Sequence, residues 1–361
     1  MSYAQVGLLI SVPVLVGSLI ELPLGLIAGQ GKTRHRLVLA GGAVVAGSLA
    51  AVAAAHSLTV LMIAFIAFFP ASGAFVSLTQ AALMDGSPTR HQQRMAAWNL
   101  AGSVGAVGGP LLLAGVLAIG GDWRTAYLVL AAAAGAALAV AFFSSPSRIA
   151  TERRVVTAEE AEEERSSVRD ALRSLRQGGV ARWVVLLEIS DLLLDVFTGY
   201  IGIYLVDVVG VSPEEAAIGV AVRLGAGLAG DALFVLVSRR VSGLVALRVS
   251  AISAVLLYPA FLFVPSLPAK LAILALLSLI TACWYPVIQA GLYTSLPGRS
   301  GIAVFLSSAA ALVGAAGPIA VGFIAQQAGL TWALAVLGVA PAVVIAILPA
   351  ERRSRFRRVK R

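Results

Sequence analysis

Charge is scarce in this chain. Only 12% of its 361 residues are Asp, Glu, Lys or Arg, about half the share of a soluble domain. That scarcity excludes an ordinary water-soluble fold, because 59% hydrophobic residues at a mean hydropathy of +0.92 exceed what a core can hide. Cysteine is nearly absent: the single Cys283 stands inside an apolar run, so no internal disulfide, thiolate metal site or redox pair can form. The three histidines, His35, His56 and His91, lie far apart in or near loops, which argues against a His-based metal or catalytic centre. Gly31-Lys32-Thr33 lacks the upstream glycine and the strand-to-helix setting of a phosphate loop. Gly225-Ala226-Gly227-Leu228-Ala229-Gly230 fits a dinucleotide fingerprint literally, yet no strand precedes it. No metal, no cofactor and no enzyme activity are therefore expected. Met1 to Gln5 carries no Lys or Arg ahead of its apolar stretch, unlike a cleaved secretory signal.

What is present is a succession of apolar runs long enough to span a bilayer, which takes about 20 residues each. Breaks at charged, Gly-rich or Pro-containing segments divide them at 5–28, 37–55, 58–84, 95–119, 124–144, 181–206, 214–238, 244–264, 269–294, 300–326 and 330–349. The runs show none of the period-two alternation of a barrel strand. The expectation is an all-α membrane protein with 11 transmembrane helices, five plus six. Residues 1–144 form an N-terminal bundle, 145–180 a cytoplasmic central linker, 181–349 a C-terminal bundle and 350–361 a basic cytoplasmic tail.

The net charge of +9 would suggest nucleic acid in a soluble chain, but here it is topological. All of the 27 Lys and Arg residues except Arg124, Arg223 and Lys270 fall on one side of the expected spans. By the positive-inside rule that side is cytoplasmic, with the C-terminus inside and the N-terminus outside. The expected setting is the inner (plasma) membrane, as a multi-pass monomer whose partner is the lipid bilayer and not nucleic acid. Within the linker, Val168, Ala171, Leu172 and Leu175 recur at helical spacing, so the segment reads as an amphipathic helix on the inner face or as a solvated linker.

An internal repeat is the most informative pattern. Gln80-Ala81-Ala82-Leu83, then Pro88 and Arg90, recurs as Gln289-Ala290-Gly291-Leu292, then Pro297 and Arg299, at a constant offset of 209. Gly105-x-x-x-Gly109-Pro110 recurs as Val313-x-x-x-Gly317-Pro318 at an offset of 208. A duplicated bundle predicts such matches in order. Under this offset helix 214–238 projects onto the opening helix, and 181–206 projects before Met1, as if one N-terminal helix were missing.

These features resemble the major facilitator superfamily over essentially the whole chain. Members carry Gly-x-x-x-Asp-Arg/Lys-x-Gly-Arg/Lys-Arg/Lys after the second helix, and the loop Gly25 to Arg34 matches at Gly25 and at its basic end. Gly29 stands where the acid belongs, which removes the usual partner for a gating ion pair. Gly105-x-x-x-Gly109-Pro110 is similar to a pattern in the fifth helix of the family's drug exporters and implies export. Glycines at that spacing also serve helix packing, and the proline permits bending, as at Gly317-Pro318. The resemblance implies a two-bundle transporter.

Charges inside spanning helices cost about 2.5–3.5 kcal/mol each on insertion scales, so the few present are candidate coupling residues. Glu188, Asp191 and Asp195 recur at helical spacing on one face, continued by Thr198 and Gly202. The next helix carries Arg223 and Asp231, and Arg223 is expected to pair with Asp195 or Asp191. Glu21 lies close to where Asp231 projects in the first half. Clustered carboxylates of this kind suit proton binding, and the alternative is that they only satisfy one another. Tyr200, Tyr204, Trp284, Tyr285, Gln289 and Tyr293 are candidate cavity-lining residues, whereas Trp123, Trp183 and Trp332 read as interfacial anchors. Asp85 and Asp207 stand at helix ends, where solvation or capping accounts for them. The function expected is secondary active transport of a small molecule by alternating access, proton-coupled and exporting. An uptake permease and a non-transporting sensor or scaffold are the alternatives.

Overall fold

The computed structural model describes residues 3–27, 32–143, 168–177, 179–314 and 316–348. The tail from 350 and most of the linker lie outside them. Every element among the described residues is helical, as hydrocarbon demands when each backbone N–H must find its acceptor within its own segment. The first half comprises α1 (Tyr3–Ile27), α2 (Lys32–Ala53), α3 (Leu58–Asp85), α4 (His91–Ala118) and α5 (Trp123–Phe143). A short α6 (Val168–Ser174) precedes α7 (Val180–Asp191), which continues through a π-helical turn, Leu192–Val196, into α8 (Phe197–Tyr204) and a second π turn, Leu205–Val209. Then come α9 (Pro213–Val237), α10 (Gly243–Phe263), α11 (Leu267–Thr281), α12 (Trp284–Ser295), α13 (Ser300–Gly314), α14 (Ala316–Ala328), α15 (Leu330–Leu337) and α16 (Ala340–Ile347).

Nine helical stretches among the described residues are long and apolar enough to cross a membrane. Two shorter apolar stretches, Leu15–Leu24 and Ser300–Gly314, accompany them. Local chemistry marks the ends. Ser212 and Glu215 form a reciprocal capping box with Pro213 in the first turn of α9, which satisfies amides that the helix itself leaves free. Ser57 caps α3 through the Val60 amide. Large apolar side chains such as Leu111, Val140, Leu236 and Leu256 stay exposed, as expected of a surface that meets acyl chains.

Small residues set the closest helix approaches. A Cβ at Gly230 would stand 2.5 Å from the Leu279 carbonyl oxygen, so α9 and α11 touch backbone to backbone there. The largest core lies in the second half, around Trp284, Tyr204, Tyr258 and Phe261. α6 carries the linker residues expected to be amphipathic: Ala171 is buried with Val180, Leu292 and Ile302, and Leu175 packs against them. Val168 and Leu172 are exposed.

The halves meet along α1–α13, α4–α9, α4–α12 and α3–α13. Adding 209 to α1 gives 212–236, nearly α9, and subtracting it from α13 gives 91–105, the first half of α4. The α1–α13 and α9–α4 interfaces are therefore images of one another, as a duplicated bundle requires.

Candidate functional site

Between the halves lies a cavity of about 400 Å³. Its charged lining comes entirely from the second half: Asp191 ends α7, Asp195 sits in the π turn, and Arg223 and Asp231 lie two turns apart on α9. The first half contributes α4 through Asn99, Ser103, Ala106 and Val107. A π turn inserts an extra residue and re-aims side chains, and such turns gather at functional positions. Here Asp191 directly precedes it and Asp195 lies within it, and Thr198 returns its hydroxyl to the Leu194 carbonyl at 2.5 Å.

The expected partner of Arg223 differs from the one found. Among the described residues no carboxylate lies within 4.0 Å of its guanidinium. Nη2 donates a long 3.5 Å bond to the Leu194 carbonyl, and Nε is buried without an acceptor. Asp195 and Asp231 act on it through space. Asp231 is instead held across the interface: Asn99 Nδ2 donates to its Oδ1 at 2.7 Å, and the Ser103 hydroxyl donates to Oδ2. Asp191 and Asp195 accept no hydrogen bond from any described residue, and they face the cavity with oxygen lone pairs free.

At one end of the cavity Tyr285 leads into a polar network centred on buried Gln80. Its Nε2 donates to Tyr285 Oη at 3.3 Å, and its Oε1 accepts from Tyr293 Oη at 3.3 Å and from Gln289 Nε2 at 3.5 Å. Gln80 and Gln289 are the repeat-related pair, so the two copies of one residue touch. Further toward the same helix ends, Arg34 pairs with Asp85 at 2.7 Å, and Ser300 joins both, at 2.9 Å from Arg34 Nη2 and 2.5 Å from Asp85 Oδ2. Asp85 is thus no solvated helix end: it supplies the acid that the loop after α1 lacks. His91 with Thr294, and Gln92 with Gly243 and the Val241 carbonyl, complete this closed side. Among the described residues, every inter-half hydrogen bond on α4 begins between His91 and Ser103, within about 18 Å of the helix start at 1.5 Å per residue.

The family model described as Major Facilitator Superfamily matches residues 1–308. The chain belongs to the major facilitator superfamily. No curated protein sequence matches it. Its fold is similar to that of FucP, the E. coli fucose:proton symporter, in the outward conformation, at 16% identity and a TM-score of 0.73 over 96% of this chain and 90% of that one. It is also similar to the human organic anion transporter MFSD10 (22% identity, TM-score 0.69, 93% and 83% covered). The proton:xylose symporter XylE follows at 14% identity and a TM-score of 0.70, with 96% and 86% covered. At such identities the likeness is one of fold.

Of the acids picked out in this major facilitator's sequence, Asp191, Asp195 and Asp231 share the cavity with Arg223 and Tyr285. Glu188 lies outside it, against α13: a Cβ at Gly314 would stand 2.2 Å from its Oε2, and its Oε1 is buried without a partner. Glu188 and Asp191 both precede the π turn, and three residues of α-helical rotation turn Glu188 toward α13 while Asp191 faces the cavity. Glu21 lies close to the Ser308 hydroxyl of α13 and occupies room left by Gly73, where a Cβ would stand 1.5 Å from Oε1. Trp284 is core, donating from Nε1 to Ser250 at 2.7 Å, and Tyr204 is core, donating to the Leu262 carbonyl at 2.7 Å. Tyr200 is half-buried near Gly322 of α14, and Gln289 and Tyr293 belong to the Gln80 network. Around Gly105 and Gly109 an added Cβ would meet no described residue within 4 Å, and Pro110 lies within α4. Gly317 does admit a neighbour, Leu192 of the π turn, and Pro318 stands in the first turn of α14. Asn99, Ser103, Ser278 and Thr281 line the cavity without having stood out in the sequence. A single polar residue in a helix carries no periodic signal.

Proposed function

We propose that this chain is a proton-coupled secondary transporter that moves a small solute outward by alternating access around the α4–α7–α9 cavity. The observation that carries the reading is the pair Asp191 and Asp195, two carboxylates without a hydrogen-bond donor among the described residues, facing a cavity between two repeated halves. Carboxylates so placed exchange protons with whichever side the cavity opens to, and rocking the halves exposes that site alternately. Three carboxylates against one guanidinium favour a solute carrying a positive charge. Export rests on the Gly105 to Pro110 pattern and is the direction tested first. The closure on the His91 side, with cytoplasmic loops there as the basic residues imply, supports an outward-facing state of the cycle.

Purified protein in liposomes under an imposed pH gradient, offered amine-bearing and carboxylate-bearing solutes, tests it. Amine-dependent proton flux is expected, lost in Asp191→Asn or Asp195→Asn. Undiminished coupling in both variants removes these residues from the mechanism.

A further inference from the structure

Two carboxylates hold the halves together from opposite sides, and they do so as images of one another. Asp231 of α9 reaches into α4, where Asn99 and Ser103 donate to its two oxygens. Glu21 of α1 reaches toward α13, where the Ser308 hydroxyl lies close enough to interact with it. Asn99 and Ser308 are separated by 209, the spacing of the contacting pair Gln80 and Gln289, and Glu21 and Asp231 by 210. The two helix pairs are themselves repeat images. Each contact crosses from one half to the other, and each has an acid in a spanning helix on one side.

We propose that Glu21 and Asp231 are a symmetric pair of positioning residues, latches that keep the halves closed on the His91 side and release when protonated. An ionised carboxylate accepts on both oxygens, whereas the acid turns one oxygen into a donor. At Asp231 the Asn99 amide can only donate, so the proton turns to Ser103 Oγ and reverses that bond, and both inter-half bonds become bonds between neutral groups. Charge-assisted hydrogen bonds also weaken to neutral ones. Asp231 is faced by Arg223 on its own helix and by the Cys283 thiol from the break between α11 and α12. From α4 it meets only the uncharged Asn99 and Ser103. Glu21 meets Ser308 from α13 and the backbone of Gly73 from α3, with no charged group among the described residues acting on it. Two latches on opposite interfaces must open together for a rigid-body rock, so proton uptake at both is the condition for switching.

The inference extends the transport reading, but its test needs no solute. In a Cys283→Ser background, spin labels at exposed Ile119 and Ile218 report the opening between α4 and α9 at the ends away from His91. Glu21→Gln and Asp231→Asn are each expected to raise the ratio of the short-distance to the long-distance population about tenfold, the gap between a charge-assisted and a neutral bond. Lowering the pH should do the same to the unsubstituted labelled protein, and the double variant should no longer respond to pH. Ser103→Ala and Ser308→Ala, which keep both charges and alter little volume, should shift the ratio about tenfold in the same direction. Unchanged distances in all four single variants, or a pH response that survives in the double variant, overturns the proposal. Distances that respond while no proton-coupled flux is found would fault the transport reading and leave the latches standing.

Discussion

Replacing Ser300 with Ala isolates the contact that closes the cavity between Arg34 and Asp85. Both of those residues belong to the first half and remain paired at 2.7 Å without Ser300, so folding of that half keeps its ion pair. What is lost exists only when the halves meet: a 2.9 Å bond from Arg34 Nη2 and a 2.5 Å bond to Asp85 Oδ2. Hydrogen bonds to charged groups contribute about 1.5–3 kcal/mol each. Water reaches the freed guanidinium and carboxylate once the side opens, so the two together stabilise closure by about 2 kcal/mol rather than their sum. At 1.36 kcal/mol per decade this shifts the ratio of open to closed on that side about thirtyfold. The measurement is the alkylation rate of a cysteine placed at cavity-lining Thr281, in a Cys283→Ser background, by an impermeant thiol reagent added from the side of the 295–300 segment. A rate raised by about that factor is expected. A rate within twofold of the unsubstituted protein would show that this triad does not hold the gate.

Two further outcomes test the fold. Lys270 is 2% exposed and donates to the Phe261 carbonyl at 2.5 Å, the Leu262 carbonyl at 3.1 Å and Tyr204 Oη at 3.2 Å, closing the carbonyl end of α10 with favourable charge. Lys270→Met should cost about 2 kcal/mol, read as a lower midpoint in detergent thermal unfolding with Lys270→Ala no better. Gly105→Ala adds a methyl where no described residue lies within 4 Å and removes backbone freedom, so it should leave the midpoint unchanged or raise stability by up to about 1 kcal/mol. A marked loss would reveal a neighbour at that face in the other state of the cycle.

Hydropathy made the spanning segments readable, because a bilayer imposes length and composition on every crossing. Nine described helical stretches are long and apolar enough to cross, against the eleven runs expected, and the runs from 300 and from 330 are each divided between two helices. What it did not reveal were the interruptions: the π turns at Leu192–Val196 and Leu205–Val209 and the break between Thr281 and Trp284. Each depends on which residue of a neighbouring helix presses on the backbone, information spread over distant positions. Asp191, Asp195, Arg223 and Asp231 were legible because ionisable residues are conspicuous in hydrocarbon. The pairings were not. Asp231 chose Asn99 and Ser103 over Arg223, and Asp85 chose Arg34 and Ser300, since partner choice is settled by helix rotation and depth. Trp284 looked suited to a cavity from its place in mid-run, yet a ring on a helix facing α10 finds the core instead, with Ser250 to take its N–H.

The touching of Gln80 and Gln289 bears on how such a chain arises. In a two-fold dimer any residue beside the axis meets its own twin, and an amide, carrying donor and acceptor together, is complementary to itself. A half-length ancestor with this glutamine would already have had a self-matching contact across its dimer, and fusing two copies end to end would have preserved it without inventing a new interface. Substitution at either position now confronts an unaltered twin, so changing both to the same residue should be tolerated better than changing one.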